Sequence, residues 1–222
     1  VPGAEADTDK VQPTASALAA IARGASREIL IESAYLVLDD ASLKVVRSMT
    51  GRGVAVRALT NSLSSNDVSA NHAAYARRRV PIVKSGVELH ELRPDAVYCA
   101  RVIVIENGCS AERTLGLHSK TYVFDRRTVA IGSMNLNLRS AYLNAEATMI
   151  IESPEIAGEV AEAIERAASL ENSWSVTLED GQLLWRTRRA GQLVSARHEP
   201  DTSWWRRFQS RMIASLPLEK YL

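Results

Sequence analysis

The first half of the chain alternates short apolar runs with longer amphipathic segments. The apolar runs are rich in β-branched residues and predict buried strands at 28–33, 54–59 and 87–92. Segments with helical periodicity lie before and between them, at 14–24, about 40–50 and 70–79. Strands that alternate with helices at this spacing are typical of β-α-β units, so we expect a largely parallel sheet in this half.

The pattern changes in the second half. Strand-like segments at 117–124, 128–131 and 143–151 precede a helix that begins at Pro154 and runs to about residue 168. A hairpin is predicted at 174–187. The predicted fold class is therefore α/β, with a mixed central β-sheet flanked by helices. We expect three parts: a linker-like segment (1–13), one domain (14–200), and an amphipathic helix with a tail (201–222).

Composition changes this picture in only a few respects. The chain has 222 residues, enough for one sizeable core, and a net charge of +1, which gives no global field that would attract nucleic acid. Residues 185–222 nevertheless carry eight Lys/Arg against three Asp/Glu, a basic end that suits an anionic surface. Cys99 and Cys109 lack metal-binding spacing and are expected to be free thiols. No apolar run is long enough to span a bilayer, no signal peptide is visible, and the absence of an initiator methionine suggests a fragment or a processed product.

One short segment gathers the groups of a phosphate site. His118 and Lys120 are two residues apart and share a strand face, as do Ser133 and Asn135 on the returning strand. If the strands pair, the four side chains can converge on one spot. The ammonium and the neutral groups can hold the nonbridging oxygens of a phosphodiester, while the imidazole attacks phosphorus or protonates the leaving oxygen. Gly132 would let the backbone approach closely.

Two nearby carboxylates have more than one interpretation. Asp125 lies at the turn and has the opposite strand parity to His118, so we expect a structural role, with its carboxylate bonding turn amides or a cation. Glu146 lies in an apolar strand, where a bare carboxylate is costly. It is predicted to bond the second nitrogen of His118 and fix the tautomer, the alternative being a salt bridge at the strand end.

The joint spacing is more specific than any single residue. His118-x-Lys120-x₄-Asp125-x₆-Gly132-Ser133-x-Asn135 resembles the HKD motif of the phospholipase D superfamily, and the continuation to Asn144-x-Glu146 is also similar. TNSLSSND (60–67), GVELHELRP (86–94) and SLPLEKYL (215–222) resemble bacterial cardiolipin synthases. Such synthases carry two HKD halves and the chain has one motif, so the resemblance implies a phospholipase D-like domain that is the carboxyl-terminal half, and a need for a second HKD half.

The resemblance also implies a mechanism and roles for the motif residues. It implies phosphoryl transfer in two steps through a phosphohistidine, with no cofactor and no metal. His118, Lys120 and Asp125 take the catalytic positions of the motif; Gly132, Ser133 and Asn135 take phosphate-binding positions; and Glu146 supports them. The substrate would be a phospholipid, phosphatidylglycerol first and phosphatidylethanolamine as a further candidate.

The basic end of the chain contains a predicted helix that could bind a membrane surface. Trp204, Trp205 and Phe208 fall on one side of a predicted helix, and Arg206, Arg207 and Arg211 on the other. That pattern is typical of an interfacial helix on anionic lipid, and equally of a helix docked on its own core with the arginines in water. With a lipid substrate, we expect peripheral association with the cytoplasmic side of a bacterial inner membrane.

Two other functions remain open from the sequence. One is a self-pairing phosphodiesterase that acts on nucleic acid, although the neutral net charge makes nucleic acid an unexpected partner. The other is a lone, inactive half that binds a membrane or a partner protein.

Overall fold

The computed structural model describes residues 11–66, 68–96 and 116–214. Its six helices in these ranges are Pro13–Gly24 (α1), Asp40–Thr50 (α2), Ser69–Lys84 (α3), Leu138–Tyr142 (α4), Pro154–Ala167 (α5) and Trp204–Ala214 (α6). Its nine strands there are Glu28–Ser33 (β1), Ala55–Asn61 (β2), Val87–Leu92 (β3), Lys120–Phe124 (β4), Thr128–Gly132 (β5), Thr148–Glu152 (β6), Ser173–Glu179 (β7), Gln182–Arg189 (β8) and Gln192–Ala196 (β9).

The described strands form one mixed sheet with the order β6-β5-β4-β1-β2-β3-β7-β8-β9. β1, β2 and β3 pair in parallel, as the alternating pattern predicts, and the remaining neighbours are antiparallel. The predicted α/β class with a mixed central sheet flanked by helices is thereby confirmed.

Both faces of the sheet are covered. On β1, Ile29 and Ile31 face the large core cluster to which α1 and α2 contribute, while Leu30 faces the opposite way. Leu30 packs with Ala161 and Ile164 of α5, whose alanines let the helix approach the sheet closely. A buried strand with apolar residues on both faces explains why the 28–33 run shows no polar alternation.

Helix boundaries follow ordinary capping chemistry. Asp39 caps α2 by accepting a 2.7 Å hydrogen bond from the Ser42 amide. Ser153 caps α5, with Pro154 in its first turn, as predicted. α3 continues to Lys84 through Pro81, five residues beyond the predicted end, and the fully buried Ile82 anchors this last turn in the core.

Several segments differ from the predictions. The strand expected at 143–151 begins only at Thr148. The short helix α4 precedes it, because Asn137 accepts a 2.9 Å bond from the Ser140 amide and starts a helical turn. β9 extends the predicted hairpin into a three-stranded meander. Asp67, Cys99 and Cys109, the segment 1–10 and the tail 215–222 lie outside the described residues.

A buried ionic network joins α3 to the meander side of the sheet. Arg79 contacts Glu91 and Glu199, each at 2.8 Å, and lies between the rings of Tyr75 and Trp185. Tyr75 Oη and Trp185 Nε1 also donate to Glu91, at 2.7 and 2.9 Å. A fully buried carboxylate is tolerated here because a cation and two neutral donors compensate its charge.

Candidate active site

The site lies where the parallel strands end. β1, β2 and β3 end at Ser33, Asn61 and Leu92, and β4 begins at the same edge because Lys120 pairs with Ser33. The carboxyl ends of parallel strands are the usual place for ligands in α/β sheets. The antiparallel β4 adds its amino-terminal end, with His118, to this edge.

His118 and Lys120 differ in environment. The His118 side chain is exposed, whereas Lys120 is 8% exposed. Lys120 Nζ donates a 2.7 Å hydrogen bond to the His118 carbonyl oxygen. The Tyr35 ring meets the imidazole edge-on, with centroids 6.3 Å apart. A fixed cation therefore lies behind an accessible imidazole, the pair that the sequence predicts.

The backbone before His118 is held by a buried amide. Asn61 Oδ1 accepts from the Leu117 amide at 2.7 Å, and Asn61 Nδ2 donates to the Leu117 carbonyl at 2.9 Å and to the Ala34 carbonyl at 3.1 Å. A side chain on Gly116 would lie 2.6 Å from the Ser65 carbonyl, so this strand end packs directly on the loop after β2. Asn61 belongs to the TNSLSSND segment, whose resemblance to other proteins did not predict that this residue positions His118.

Glu146 binds partners other than the predicted one. It accepts hydrogen bonds from the Ser133 hydroxyl and from Asn144 Nδ2, the latter at 3.0 Å. Among the described residues, Glu146 makes these bonds and not the predicted bond to the His118 imidazole. The reason is the pairing of β5 with β6: Ser133 and Ala147 bond each other across the strand ends, which brings Glu146 to Ser133.

Glu146 is held as an anion near Lys120. Burial opposes its ionisation, but hydrogen bonds from Ser133, Ser140 and Asn144 and the charge of Lys120 hold the pKa of Glu146 below the ordinary glutamate value. Because Ser133 donates its proton to this carboxylate, its hydroxyl cannot donate to a phosphate oxygen at the same time. The predicted role of Ser133 as a phosphate donor therefore requires a rearrangement of this bond.

Asn135 and Gly132 have different neighbours. Asn135 Oδ1 is buried and has no hydrogen-bond partner among the described residues. Because this oxygen can only accept, the predicted bond to a phosphate oxygen would come from the Asn135 amide nitrogen. A Cβ on Gly132 would lie 2.2 Å from the Ala147 carbonyl. The backbone that approaches Gly132 closely is that of β6. This accounts for the glycine structurally, and its predicted role in phosphate binding stays a prediction.

Asp125 lies at the far end of β4 from His118. Its carboxylate accepts from the amides of Ser26, Arg27 and Glu28 at 2.8–2.9 Å, and from the Ser26 hydroxyl at 3.0 Å. At about 3.3 Å per strand residue, some 16 Å separate it from Lys120. The structural role predicted from its position is confirmed, whereas its place among the catalytic residues, implied by the resemblance, is not supported by any contact with the site.

Two further polar side chains near the site were not predicted. Tyr122 is buried and its hydroxyl donates to the Met134 carbonyl at 2.6 Å. Burial raises the pKa of Tyr122, and the nearby Glu146 charge adds to the effect. The Ser119 hydroxyl donates to the Glu32 carboxylate, whose pKa is raised by burial. Tyr122 and Ser119 could not be singled out from the sequence, because both lie in a segment with an ordinary strand pattern.

Comparisons with known proteins decide the family. A family model described as "Cardiolipin synthase, PLD-like domain" matches residues 18–168. The chain belongs to this phospholipase D-like family. The predicted resemblance to that superfamily is thus confirmed.

Individual relatives agree with the family. Cardiolipin synthase C of Escherichia coli K12 is 35% identical over 195 residues, which is 87% of this chain and 41% of the relative. Cardiolipin synthase A of Pseudomonas aeruginosa PAO1 is 29% identical over 171 residues, covering 77% and 30%. The chain thus spans less than half the length of these relatives. The solved structure of NucT from Helicobacter pylori has a TM-score of 0.51 at 15% identity, covering 71% of this chain and 91% of NucT, a likeness of fold.

The last helix of this phospholipase D-like chain exposes its aromatic face. Trp204, Trp205 and Phe208 are 67%, 56% and 42% exposed; each tryptophan ring stacks on Phe208, and the two tryptophans are tilted toward each other. The alternative in which these rings dock on the core is therefore wrong. Of the arginines, Arg206 donates to the Asn66 carbonyl at 3.0 Å, Arg207 donates to the Thr202 carbonyl at 2.6 Å, and Arg211 is exposed.

No helix in the described ranges is both long and apolar enough to cross a membrane. Within the same ranges no three His, Cys, Asp or Glu side chains form a group suited to a metal ion.

Proposed function

We propose that this chain is the carboxyl-terminal catalytic half of a cardiolipin synthase-type phosphatidyltransferase. The observation that carries the proposal is the exposed His118 imidazole beside the buried Lys120 ammonium, in a chain of the phospholipase D-like family. The cardiolipin synthase relatives support a phospholipid substrate, with phosphatidylglycerol as donor and phosphatidylethanolamine as a further candidate.

The proposed reaction has two steps and uses no cofactor. A histidine nitrogen attacks phosphorus, and the bond from phosphorus to the leaving alcohol breaks as a second histidine donates a proton to the departing oxygen. An incoming alcohol, deprotonated by that second histidine, then attacks the phosphohistidine and releases the new diester. His118 serves as the acid and base or as the nucleophile. Lys120 and Asn135 stabilise the charge that gathers on the nonbridging oxygens.

A second HKD half completes this reaction, and one edge of the sheet suits its docking. β6 is the edge strand of the described sheet, and Met149 and Ile150 on it are 61% and 42% exposed. Ile131, which pairs with Met149, is 38% exposed. Apolar side chains on an open strand edge close to Ser133 are typical of a surface that another chain or domain covers. The second half is a separate half or a second copy of this chain.

The aromatic face of α6 supports peripheral binding to an anionic membrane. Its exposed tryptophans suit the lipid headgroup region, and α6 carries three arginines and no acidic residue. Through the bond between Arg206 and Asn66, α6 is joined to the loop that packs on Gly116. Insertion of α6 would therefore place the His118 edge near the headgroups, on the cytoplasmic side of a bacterial inner membrane.

The test uses this chain with phosphatidylglycerol vesicles, with and without phosphatidylethanolamine. Lipid products are followed by mass spectrometry while light scattering gives the oligomeric state, and His118→Ala is the control. Cardiolipin made by a dimer and lost in the control would show that the half is sufficient and pairs with itself. A parallel assay offers DNA in place of vesicles. Cleavage of its phosphodiester bonds, with no lipid product from the vesicles, would refute the proposal in favour of a nuclease.

A further inference from the structure

A large apolar cavity lies between α1 and α2 on one face of the sheet. Its volume is about 400 Å³. The sheet forms its floor through Ile29, Ile31 and Tyr122, while Leu18 of α1 and Val45 and Met49 of α2 form its sides. We call this space the α1–α2 cavity.

The cavity has a sequence cause. The α1 positions that face it include Ala15, Ala19 and Ala22, whose short side chains leave the space between the helices unfilled. Protein interiors are close-packed, and voids much larger than a water molecule are rare in them. This space is partly open to solvent and mainly apolar in its lining, which suits it to an apolar ligand that enters from the surface.

The cavity walls are fixed rather than free to collapse. The Gln12 amide donates to the Ala141 carbonyl at 2.8 Å, and Gln12 Nε2 donates to the Tyr142 carbonyl at 3.0 Å. The Thr14 hydroxyl donates to the Glu146 carbonyl at 3.0 Å. These bonds fix the start of α1 against α4 and against the segment that carries Glu146.

One end of the cavity adjoins the site. Met134 and Leu136 line the cavity. They alternate in the chain with Ser133 and Asn135, residues of the phosphate-binding motif. Tyr122 joins the two regions, since its ring lines the cavity and its hydroxyl donates to the Met134 carbonyl. A single extended segment therefore separates the apolar space from the polar site.

We propose that the α1–α2 cavity binds one acyl chain of the phospholipid whose phosphate is held at His118. This proposal rests on the proposed function and adds where the lipid tail lies. An apolar cavity of about 150 Å³ accommodates benzene, so by proportion the α1–α2 cavity has room for roughly sixteen carbon atoms. That capacity matches a single acyl chain and is not needed for a nucleic-acid substrate.

The test measures binding without turnover. The probe is lysophosphatidylglycerol with one chain of 8 to 14 carbons, titrated below its critical micelle concentration by calorimetry. Affinity is expected to rise roughly fourfold with each added methylene. Ala19→Phe, which fills the cavity, is expected to weaken binding of the longest chain at least tenfold. Ala20→Phe is the matched control, because Ala20 is on the same helix but exposed.

Ala22→Leu is a second cavity-filling variant with a smaller side chain. Thermal unfolding of each variant shows whether it is folded. Folded filling variants that bind every chain length like the wild type would overturn the proposal. So would a wild-type affinity that does not depend on chain length, which is the outcome if another segment of protein occupies the cavity. Chain-length-dependent binding that the filling variants abolish, in a chain that cleaves DNA and forms no lipid product, would sustain the cavity and refute the proposed function.

Discussion

Replacement of Asn61 by alanine tests whether a residue outside the HKD motif positions its histidine. The change removes four hydrogen bonds of 2.7, 2.9, 3.1 and 3.3 Å, two of them to the residue before His118 and the longest from the Ser65 hydroxyl. At about 1 kcal/mol each, their loss lowers the free energy of unfolding by about 4 kcal/mol. A domain stable by about 5–15 kcal/mol remains folded. The His118 backbone, however, loses its anchor, and a displacement of about 1 Å at a reacting group can cost roughly 100-fold in rate.

Asn172→Ala is the matched control for this experiment. Asn172 is also a buried amide that bonds a carbonyl, that of Arg166, at 2.8 Å, but it lies just before β7. Both variants are compared by urea unfolding, by kcat on phosphatidylglycerol vesicles and by hydrogen exchange at the Leu117 amide. We expect both to lose stability, and only Asn61→Ala to lose kcat and Leu117 protection. Equal kcat in the two variants, once corrected for folded fraction, would refute the positioning role.

Four further substitutions test the frame of the site and the packing around it. Asp125→Asn should lower stability by about 1 kcal/mol at pH 7, as for a lost cap. Burial opposes ionisation of Asp125, but its hydrogen bonds from backbone amides hold its pKa below the ordinary value. The stability difference between wild type and Asp125→Asn, measured by urea unfolding, should therefore vanish as the pH falls through the pKa of Asp125 in the folded state. Gly132→Ala should lower the melting temperature because its Cβ meets β6 backbone, whereas Gly158→Ala in α5, with open space around it, should raise it slightly. Glu91→Gln should lower the free energy of unfolding, measured with urea, by about 3–5 kcal/mol, because the buried Arg79 guanidinium loses one of its two carboxylate partners. A loss below about 1 kcal/mol would contradict the role of this ionic network.

The residues that the sequence predicted well are those whose neighbours are close in the chain. The three parallel strands, the helix start at Pro154 and the turn at Asp125 follow from local pattern. The pairing of His118 with Lys120 follows from strand parity alone. Asn61 and Glu146 differ, because their partners are set by how strand ends meet after the sheet forms. Periodicity likewise shows which residues of α6 share a face, but not which face docks on the protein.

Several contacts that frame the site join residues far apart in sequence, and this has a consequence for folding. Asn61 bonds a residue 56 positions away, Asp125 bonds Glu28 across 97, and Leu136 bonds Ser33 across 103. Closing such long loops costs chain entropy and slows folding. A peptide with the complete HKD motif would therefore hold little of its geometry. The sheet edge that carries His118 should form late, in the same cooperative step in which β4 pairs with β1. Local unfolding between these two strands should abolish activity before the helices unfold.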